Sequence, residues 1–376
     1  MSPPNTPHVL IIDDDVRQEE QVAAALRLAD LTVDVRAPNT VAPEDLLAAD
    51  VVAVDHYYAW AKVSHPDECI YWPQDGIAIA AVVAGYLRGV DHHAAIVLRT
   101  GALGMLAGNL PAEVRRPVIA AQNGLDWVLA KEDASVAGRL HEMAEAVASL
   151  EPLVSDPLGW NEGKQWLNVP DTKWTEGALA DVQICHPPEN TVAAYTAGTA
   201  WLRWFAHRVL PFPSFLLSSY WAAALLRLNV AQFEEVLASG SPLANALLDC
   251  RYTGHLAGLA GDRWWRAGLD SLVDSLLLEA SSHLPEAEAL AEQMSVLHGA
   301  PVLTLGFERP VVTIDSDYAA TAIADAVNCV RLAPDFWPSF AQEPWATFED
   351  LHDDPPLRRM VARGDRRRAS VGREHG

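Results

Sequence analysis

Residues 9–15 have the sequence VLIIDDD, a short apolar run that ends in three consecutive aspartates. A second run of the same kind, VVAVD, covers residues 51–55. Short and almost continuous apolar runs are typical of strands that are buried on both faces, as in a parallel sheet covered by helices. Both runs therefore predict strands whose carboxyl ends carry acidic side chains.

The first 150 residues repeat this pattern. Apolar runs alternate with stretches of helical spacing, which is typical of a βα repeat. The predicted strands cover residues 9–12, 31–35, 50–54, 94–98 and 127–130. We therefore predict an α/β fold, in which a flavodoxin-like, doubly wound parallel sheet of five strands is covered by helices on both faces.

The pattern changes after residue 155. Stretches rich in Trp, Ala and Leu have helical periodicity, and a few short strands are expected near residues 301–332. We therefore predict an α/β domain over residues 7–150 and a mainly helical domain over residues 156–355. Residues 356–376 contain seven arginines and are expected to form a disordered basic tail.

Composition limits the partners of this chain. Its 376 residues have a formal net charge of −23, which argues against nucleic acid as a partner because DNA affinity depends on cationic side chains. No apolar run is long enough to cross a bilayer, and the N-terminus lacks the pattern of a signal peptide. We expect a cytoplasmic protein with no membrane partner. The four cysteines are too far apart to indicate a disulfide framework or a zinc site.

Polar residues follow four of the predicted strands. Asp13 and Asp14 follow the first strand, Asp55 the third, Thr100 the fourth and Lys131 the fifth. Ligands of such sheets bind beyond the carboxyl ends of the strands, at the switch point in strand order. These five side chains would therefore meet if the first and third strands were neighbours.

The types of these residues suit phosphoryl transfer to an aspartate. Such an aspartate needs a divalent cation, because its carboxylate approaches a phosphorus centre that is already anionic. Asp13, Asp14 and Asp55, with the backbone carbonyl of Tyr57, offer oxygen ligands that suit Mg²⁺. A hydroxyl and an ammonium group would then hold the other phosphoryl oxygens.

These motifs resemble the receiver domains of two-component response regulators over about residues 7–150. VLIIDDD is similar to the first strand of that family with its acidic pair, and VVAVD to its acceptor strand. IVLRTG and WVLAK are similar to its Thr/Ser strand and its lysine strand, and WPQDG to the turn that opens its third helix. The resemblance implies specific roles in a phosphoprotein: phospho-acceptor for Asp55, Mg²⁺ ligands for Asp13 and Asp14, switch hydroxyl for Thr100, and phosphoryl contact for Lys131.

The leading hypothesis is a response-regulator-like protein of a two-component system or phosphorelay. A histidine kinase or phosphotransfer protein would phosphorylate Asp55, and the helical domain would signal through contacts with a protein effector. Two alternatives stay open: a docking module that is not phosphorylated, and a phosphate sink or relay intermediate. The docking alternative is motivated by the insertion at residues 56–72, by Glu132 in place of the family's usual proline, and by Val128 in place of its switching aromatic residue.

A third hypothesis is an enzyme in the helical domain that the receiver gates. It rests on residues 252–266, where a candidate ligand or partner site surrounds Trp264 and Trp265. The residues of that candidate site are His255, Asp262, Arg263 and Arg266. The competing interpretation is a helix pair with both tryptophans in the core. The helical domain resembles no known family, and we expect no catalysis beyond phosphorylation and dephosphorylation of the receiver itself.

Overall fold

The computed structural model describes seven stretches of the chain: residues 6–57, 73–133, 135–150, 166–187, 197–259, 261–280 and 283–371. Most of the predicted insertion, residues 58–72, lies outside the described residues. None of the described helices is long and apolar enough to cross a membrane.

The first part of the chain forms a parallel sheet of five strands. The strand order is β2-β1-β3-β4-β5, which is the flavodoxin-like order and confirms the predicted fold class. The strands are β1 His8–Ile12, β2 Thr32–Arg36, β3 Val51–Asp55, β4 Ala95–Thr100 and β5 Trp127–Ala130.

Six helices accompany this sheet. They connect or follow the parallel strands and cover both faces of the sheet. The helices are α1 Val16–Arg27, α2 Pro43–Ala48, α3 Gly76–Gly89, α4 Leu103–Ala107, α5 Ala112–Gln122 and α6 Val136–Ala148.

Alternation along β1 divides the core into two layers. Val9 and Ile11 belong to the buried cluster on the side of α1 and α6, whereas Leu10 and Ile12 belong to the cluster on the side of α3. Successive side chains of a strand point to opposite faces, so a strand that is buried on both sides is apolar throughout. This explains why the sequence of β1 is a continuous apolar run.

The second part of the chain is rich in helices and contains short strands. A mixed sheet has the order β10-β11-β8-β9, and β6 pairs with β7. The strands are β6 Leu216–Leu217, β7 Trp264–Trp265, β8 Pro310–Ile314, β9 Ala320–Asp325, β10 Cys329–Arg331 and β11 Trp345–Thr347. The helices are α7 Thr175–Ile184, α8 Ala197–Trp204, α9 Ser219–Leu225, α10 Val230–Ala238, α11 Pro242–Leu248, α12 Arg266–Glu279, α13 Glu286–His298, α14 Phe348–Asp353, α15 Pro355–Met360 and α16 Arg366–Val371. A π-helical turn, Phe205–Val209, follows α8.

The two parts share one apolar core. Leu140 and Met143 of α6 belong to the same buried cluster as Trp166, Trp201 and Phe205. Apolar side chains that form one contiguous cluster stabilise both parts together.

A buried polar contact lies beside this core. The Asp126 carboxylate accepts hydrogen bonds from Ile96 N at 2.7 Å and from Arg203 Nε at 2.7 Å. His207 Nε2 lies 2.8 Å from the Asp126 carbonyl, and burial lowers the pKa of His207 to about 4. The imidazole is therefore neutral at pH 7, and Nε2 donates because a carbonyl can only accept.

The basic C-terminal residues differ from the disordered tail that the sequence suggests. Leu357 and Val361 are buried with Val330 and Ala346, so apolar contacts hold this segment against the mixed sheet. Arg368 donates hydrogen bonds to the carbonyls of residues 326 and 327. The described residues up to 371 are therefore ordered by packing and by hydrogen bonds from arginine to backbone carbonyls.

Candidate functional site

Three carboxylates converge where β1 and β3 end. Because Ile12 pairs with Val54 across the two strands, the residues that follow, Asp13 and Asp55, are neighbours. Asp13, Asp14 and Asp55 each offer an oxygen, and these oxygens all lie within 4.8 Å of one another. The structure therefore brings these three aspartates together.

The donor set of this cluster fits a hard divalent cation. Asp13 is 1% exposed and Asp55 is 5% exposed, so both carboxylates are largely withdrawn from water. Clustered carboxylates repel one another unless a cation lies between them. Carboxylate oxygens are ligands that Mg²⁺ and Ca²⁺ prefer. The three aspartates could therefore hold such an ion.

Lys131 lies within this cluster of carboxylates. Its Nζ is 2.9 Å from Asp13 Oδ2 and 2.9 Å from Asp55 Oδ1, and it lies 3.8 Å from Glu19 Oε1. The position follows from the register, because Lys131 comes directly after β5 and its backbone N–H donates to the Thr100 carbonyl at 3.0 Å. The ammonium group is the hydrogen-bonding partner of both buried aspartates.

Burial and neighbouring charges shift the pKa values of this pair. Burial raises the pKa of Asp55, and the nearby Asp13 carboxylate adds to this effect while the Lys131 hydrogen bond opposes it. Burial lowers the pKa of Lys131, but its bonds to Asp55 and Asp13 outweigh burial and the net shift is upward. Two carboxylates stabilise the charged form of one ammonium group, whereas the two carboxylates share the stabilisation from that single positive charge.

Thr100 ends β4 and is fully buried. Its Oγ1 accepts from Ala102 N at 3.0 Å and lies 3.2 Å from Nδ1 of His56. Among the described residues, the Thr100 hydroxyl makes no hydrogen bond to the three aspartates. Its polar side-chain partner is His56, the residue directly after Asp55, and burial lowers the pKa of that imidazole.

The turn before α3 passes very close to the end of β3. A Cβ at Gly76 would lie 1.9 Å from the Asp55 carbonyl oxygen, so a side chain does not fit there. Gly76 N donates to the His56 carbonyl at 2.9 Å, and Asp75 caps α3 by accepting from Ala78 N at 2.9 Å. The glycine of the WPQDG motif therefore permits the close packing beneath Asp55. The neighbouring residue Tyr57 is exposed, and its carbonyl as a metal ligand stays a prediction.

Two buried charged residues near the candidate site are not predicted from the sequence. Glu19 of α1 and Arg99 of β4 form a salt bridge in which both side chains are no more than 4% exposed. Arg99 alone indicates such a pair in the sequence, because an arginine in a strand that is expected to be buried on both faces requires a counterion. The position of that counterion depends on how α1 packs on the sheet.

The four candidate residues around positions 252–266 do not surround one cavity. His255 lines a cavity of about 410 Å³, whereas Arg263 lines a different cavity of about 260 Å³. Asp262 forms a salt bridge with Arg251, and Arg266 donates to the side chain of residue 342. The four residues therefore do not line a single cavity, although Arg263 donates to the carbonyl of Asp262. The two tryptophans between them are buried, as the packing interpretation expects.

Comparison with known proteins identifies no family. No protein-family model matches the chain, and no curated protein matches it. A CheY-like receiver domain from Methanospirillum hungatei JF-1 has 14% identity and a TM-score of 0.27, over 39% of this chain and 98% of that chain. A receiver domain from Clostridium thermocellum has 17% identity and a TM-score of 0.28 over the same shares. The HemR receiver domain from Leptospira biflexa has 18% identity and a TM-score of 0.25, over 39% and 96%. Similarities this low carry no argument, so the fold rests on the observed strand order.

Proposed function

We propose that this chain is a response-regulator-like signalling protein and that Asp55 accepts a phosphoryl group in a Mg²⁺-dependent reaction. One observation carries the proposal. Lys131 Nζ lies 2.9 Å from both Asp13 and Asp55, within a cluster of three carboxylates at the switch point of a flavodoxin-like sheet. An acceptor carboxylate, two further acidic groups and one cation are the groups that phosphoryl transfer to an aspartate requires.

In the proposed reaction, a carboxylate oxygen of Asp55 attacks the phosphorus atom of the donor. The new bond joins this oxygen to phosphorus, and the bond from phosphorus to the donor's leaving atom breaks. Lys131 then exchanges its contact with Asp55 for a phosphoryl oxygen, since it is within hydrogen-bond distance of the acceptor. Thr100 would supply a hydroxyl to another phosphoryl oxygen after leaving His56.

Asp13, Asp14 and the Tyr57 carbonyl would hold Mg²⁺ beside Asp55. The ion supplies positive charge between the anionic nucleophile and the anionic donor. Asp13 is already fixed for this role, because its Oδ1 accepts from Asp15 N at 2.8 Å and its Oδ2 contacts Lys131.

The proposed donor is a histidine kinase or a phosphotransfer protein, and the second part of the chain would contact a protein effector. A phosphate sink or relay intermediate would use the same chemistry at Asp55 without an effector. A docking module would use the fold without this chemistry.

Incubation with acetyl phosphate and Mg²⁺, followed by intact mass measurement, tests the proposal. We expect a gain of one phosphoryl group that is lost when Mg²⁺ is removed and lost in Asp55→Asn, which keeps the shape of the side chain but removes the nucleophilic oxygen. Asp50→Asn is a matched control, because Asp50 directly precedes β3 and accepts from His8 N at the opposite end of the strand. Labelling of folded Asp55→Asn would contradict the proposal, and a folded wild-type protein that gains no mass would favour the docking module.

A further inference from the structure

Arg263 is a partly buried cation that forms no salt bridge with a carboxylate among the described residues. Its Nε donates to the Leu210 carbonyl at 3.1 Å, and its Nη1 donates to the Asp262 carbonyl at 3.0 Å. The Asp262 carboxylate itself is paired with Arg251. The second amino group of Arg263, Nη2, therefore has no hydrogen-bond acceptor in the described part of the chain.

The guanidinium of Arg263 stays charged in this setting. Burial lowers its pKa to about 10, which is still well above neutral pH. A cation that is partly withdrawn from water is stabilised by a nearby anion. The two backbone carbonyls provide only partial compensation, and the charges of Glu113 and Asp262 oppose the lowering of its pKa without forming a salt bridge with it. The guanidinium is therefore still a strong donor for an anionic group that can reach it.

A cavity of about 260 Å³ gives access to Arg263. Five of its other lining residues are aromatic, and three of these, Phe212, Trp221 and Tyr318, are buried. Flat aromatic walls favour a flat apolar ligand group. The volume lies just below the usual range for ligand pockets of about 300–1,000 Å³, which limits the occupant to a small molecule. The aromatic side chains of the lining are Phe212, Tyr220, Trp221, Tyr318 and Trp337.

The rim of the cavity favours a single negative charge. Glu113 of α5 lines the same cavity but is exposed, and it forms no ion pair with Arg263. A doubly charged group such as a phosphate would be repelled more strongly by Glu113 than a monoanion would be. A carboxylate also matches the planar geometry of a guanidinium.

We propose that this cavity binds a small organic carboxylate with a flat apolar ring, whose carboxylate pairs with Arg263 and whose ring packs against the aromatic walls. This site does not include Asp55, so the outcome of its test does not depend on the proposed phosphoryl transfer. It lies where the α/β domain meets the second part of the chain, because Ala112 N and Glu113 N of α5 donate to Asp317 in the β8–β9 turn at 2.9 and 3.1 Å.

Calorimetric titration of the full chain with benzoate tests this proposal without any variant. Benzoate combines the ring and the carboxylate, whereas benzyl alcohol lacks the charge and acetate lacks the ring. We expect saturable binding of benzoate, or of the larger probe indole-3-carboxylate, and at least tenfold weaker binding of benzyl alcohol and acetate. Absence of saturable binding for both ring carboxylates would overturn the proposal, as would equal affinities for benzoate and benzyl alcohol.

Three variants locate the bound carboxylate. Arg263→Gln should weaken the binding of the ring carboxylate at least tenfold, whereas Arg251→Gln, the control from the neighbouring exposed salt bridge, should leave it unchanged. Ala319→Leu fills the cavity and should also abolish binding, so the test survives if Arg263→Gln does not fold. Far-UV circular dichroism checks the fold of each protein. Unchanged affinity in folded Arg263→Gln or in folded Ala319→Leu would place the ligand elsewhere and overturn the proposal.

Discussion

Glu19→Met is expected to destabilise the fold strongly, because it leaves the Arg99 guanidinium buried without its counterion. Arg99 is 3% exposed, and its Nε has no hydrogen-bond partner among the described residues even with Glu19 present. Removing one partner of a buried ion pair lowers the free energy of unfolding by about 3–5 kcal/mol. Because the two parts of the chain share a core, we take the chain to unfold as one unit. An unfolding entropy of about 2.1 cal/mol/K per residue then gives a decrease in Tm of about 4–6 °C.

The neighbouring residue provides the matched control. Glu20 also pairs with an arginine, Arg27, at 2.9 Å, but both side chains are about half exposed. Exposed pairs contribute at most about 1 kcal/mol, so Glu20→Met should change Tm by about 1 °C or less. The double variant Glu19→Met/Arg99→Leu should recover most of the lost stability, because no buried charge is left unpaired. Equal Tm values for Glu19→Met and Glu20→Met in a thermal unfolding experiment would refute this reasoning, as would a double variant no more stable than Glu19→Met.

Three further predictions concern the carboxylate cluster and the turn beside it. Burial raises the pKa of Asp55 in the folded state, so the protonated form of Asp55 stabilises the fold and this stabilisation is lost as pH rises through the raised pKa. Without metal, Asp55→Asn should therefore raise the free energy of unfolding at neutral pH. An unchanged urea midpoint would contradict this expectation. Asp14→Ala should weaken Mg²⁺ binding in a calorimetric titration. The control Asp15→Asn alters only the cap of α1 and should leave Mg²⁺ affinity unchanged. Equal Mg²⁺ affinities of the two variants would show that Asp14 is not a ligand. Gly76→Ala should lower the free energy of unfolding by about 3 kcal/mol or more, because its Cβ would meet the Asp55 carbonyl. Gly85→Ala, in the middle of α3 where a Cβ meets no other atom, should raise the free energy of unfolding by about 0.5–1 kcal/mol. Similar urea midpoints for the two variants would contradict the close approach of Gly76 to Asp55.

The α/β fold and the centre of the candidate site are predictable from the sequence for a physical reason. A strand that is buried on both faces must be apolar throughout, so a polar residue at its end is conspicuous. Asp13, Asp55, Thr100 and Lys131 are all found in this way. The parallel arrangement then brings the carboxyl ends of the strands to one edge of the sheet, where the structure indeed places Lys131 between Asp13 and Asp55.

Contacts that depend on packing could not be predicted in this way. The salt bridge between Glu19 and Arg99 depends on how α1 rotates against β4, and helical periodicity does not specify that rotation. The same holds for His56, whose contact with Thr100 joins the ends of two strands. The arginines after residue 356 indicated a solvated tail by composition alone, but two well-placed apolar residues, Leu357 and Val361, hold that segment on the mixed sheet.

The buried contact around Asp126 has a consequence for how the two parts of the chain can move. An apolar interface tolerates small sliding motions, because dispersion and burial depend little on direction. The hydrogen bonds from Arg203 and His207 to Asp126 are directional, and the acceptor is fully buried. Any sliding would leave the buried Asp126 carboxylate with its hydrogen bond from Ile96 N but without its cationic partner Arg203, which is strongly unfavourable. Only one relative position of the two parts keeps these hydrogen bonds. The two parts are therefore expected either to keep the contacts of Asp126 or to separate fully.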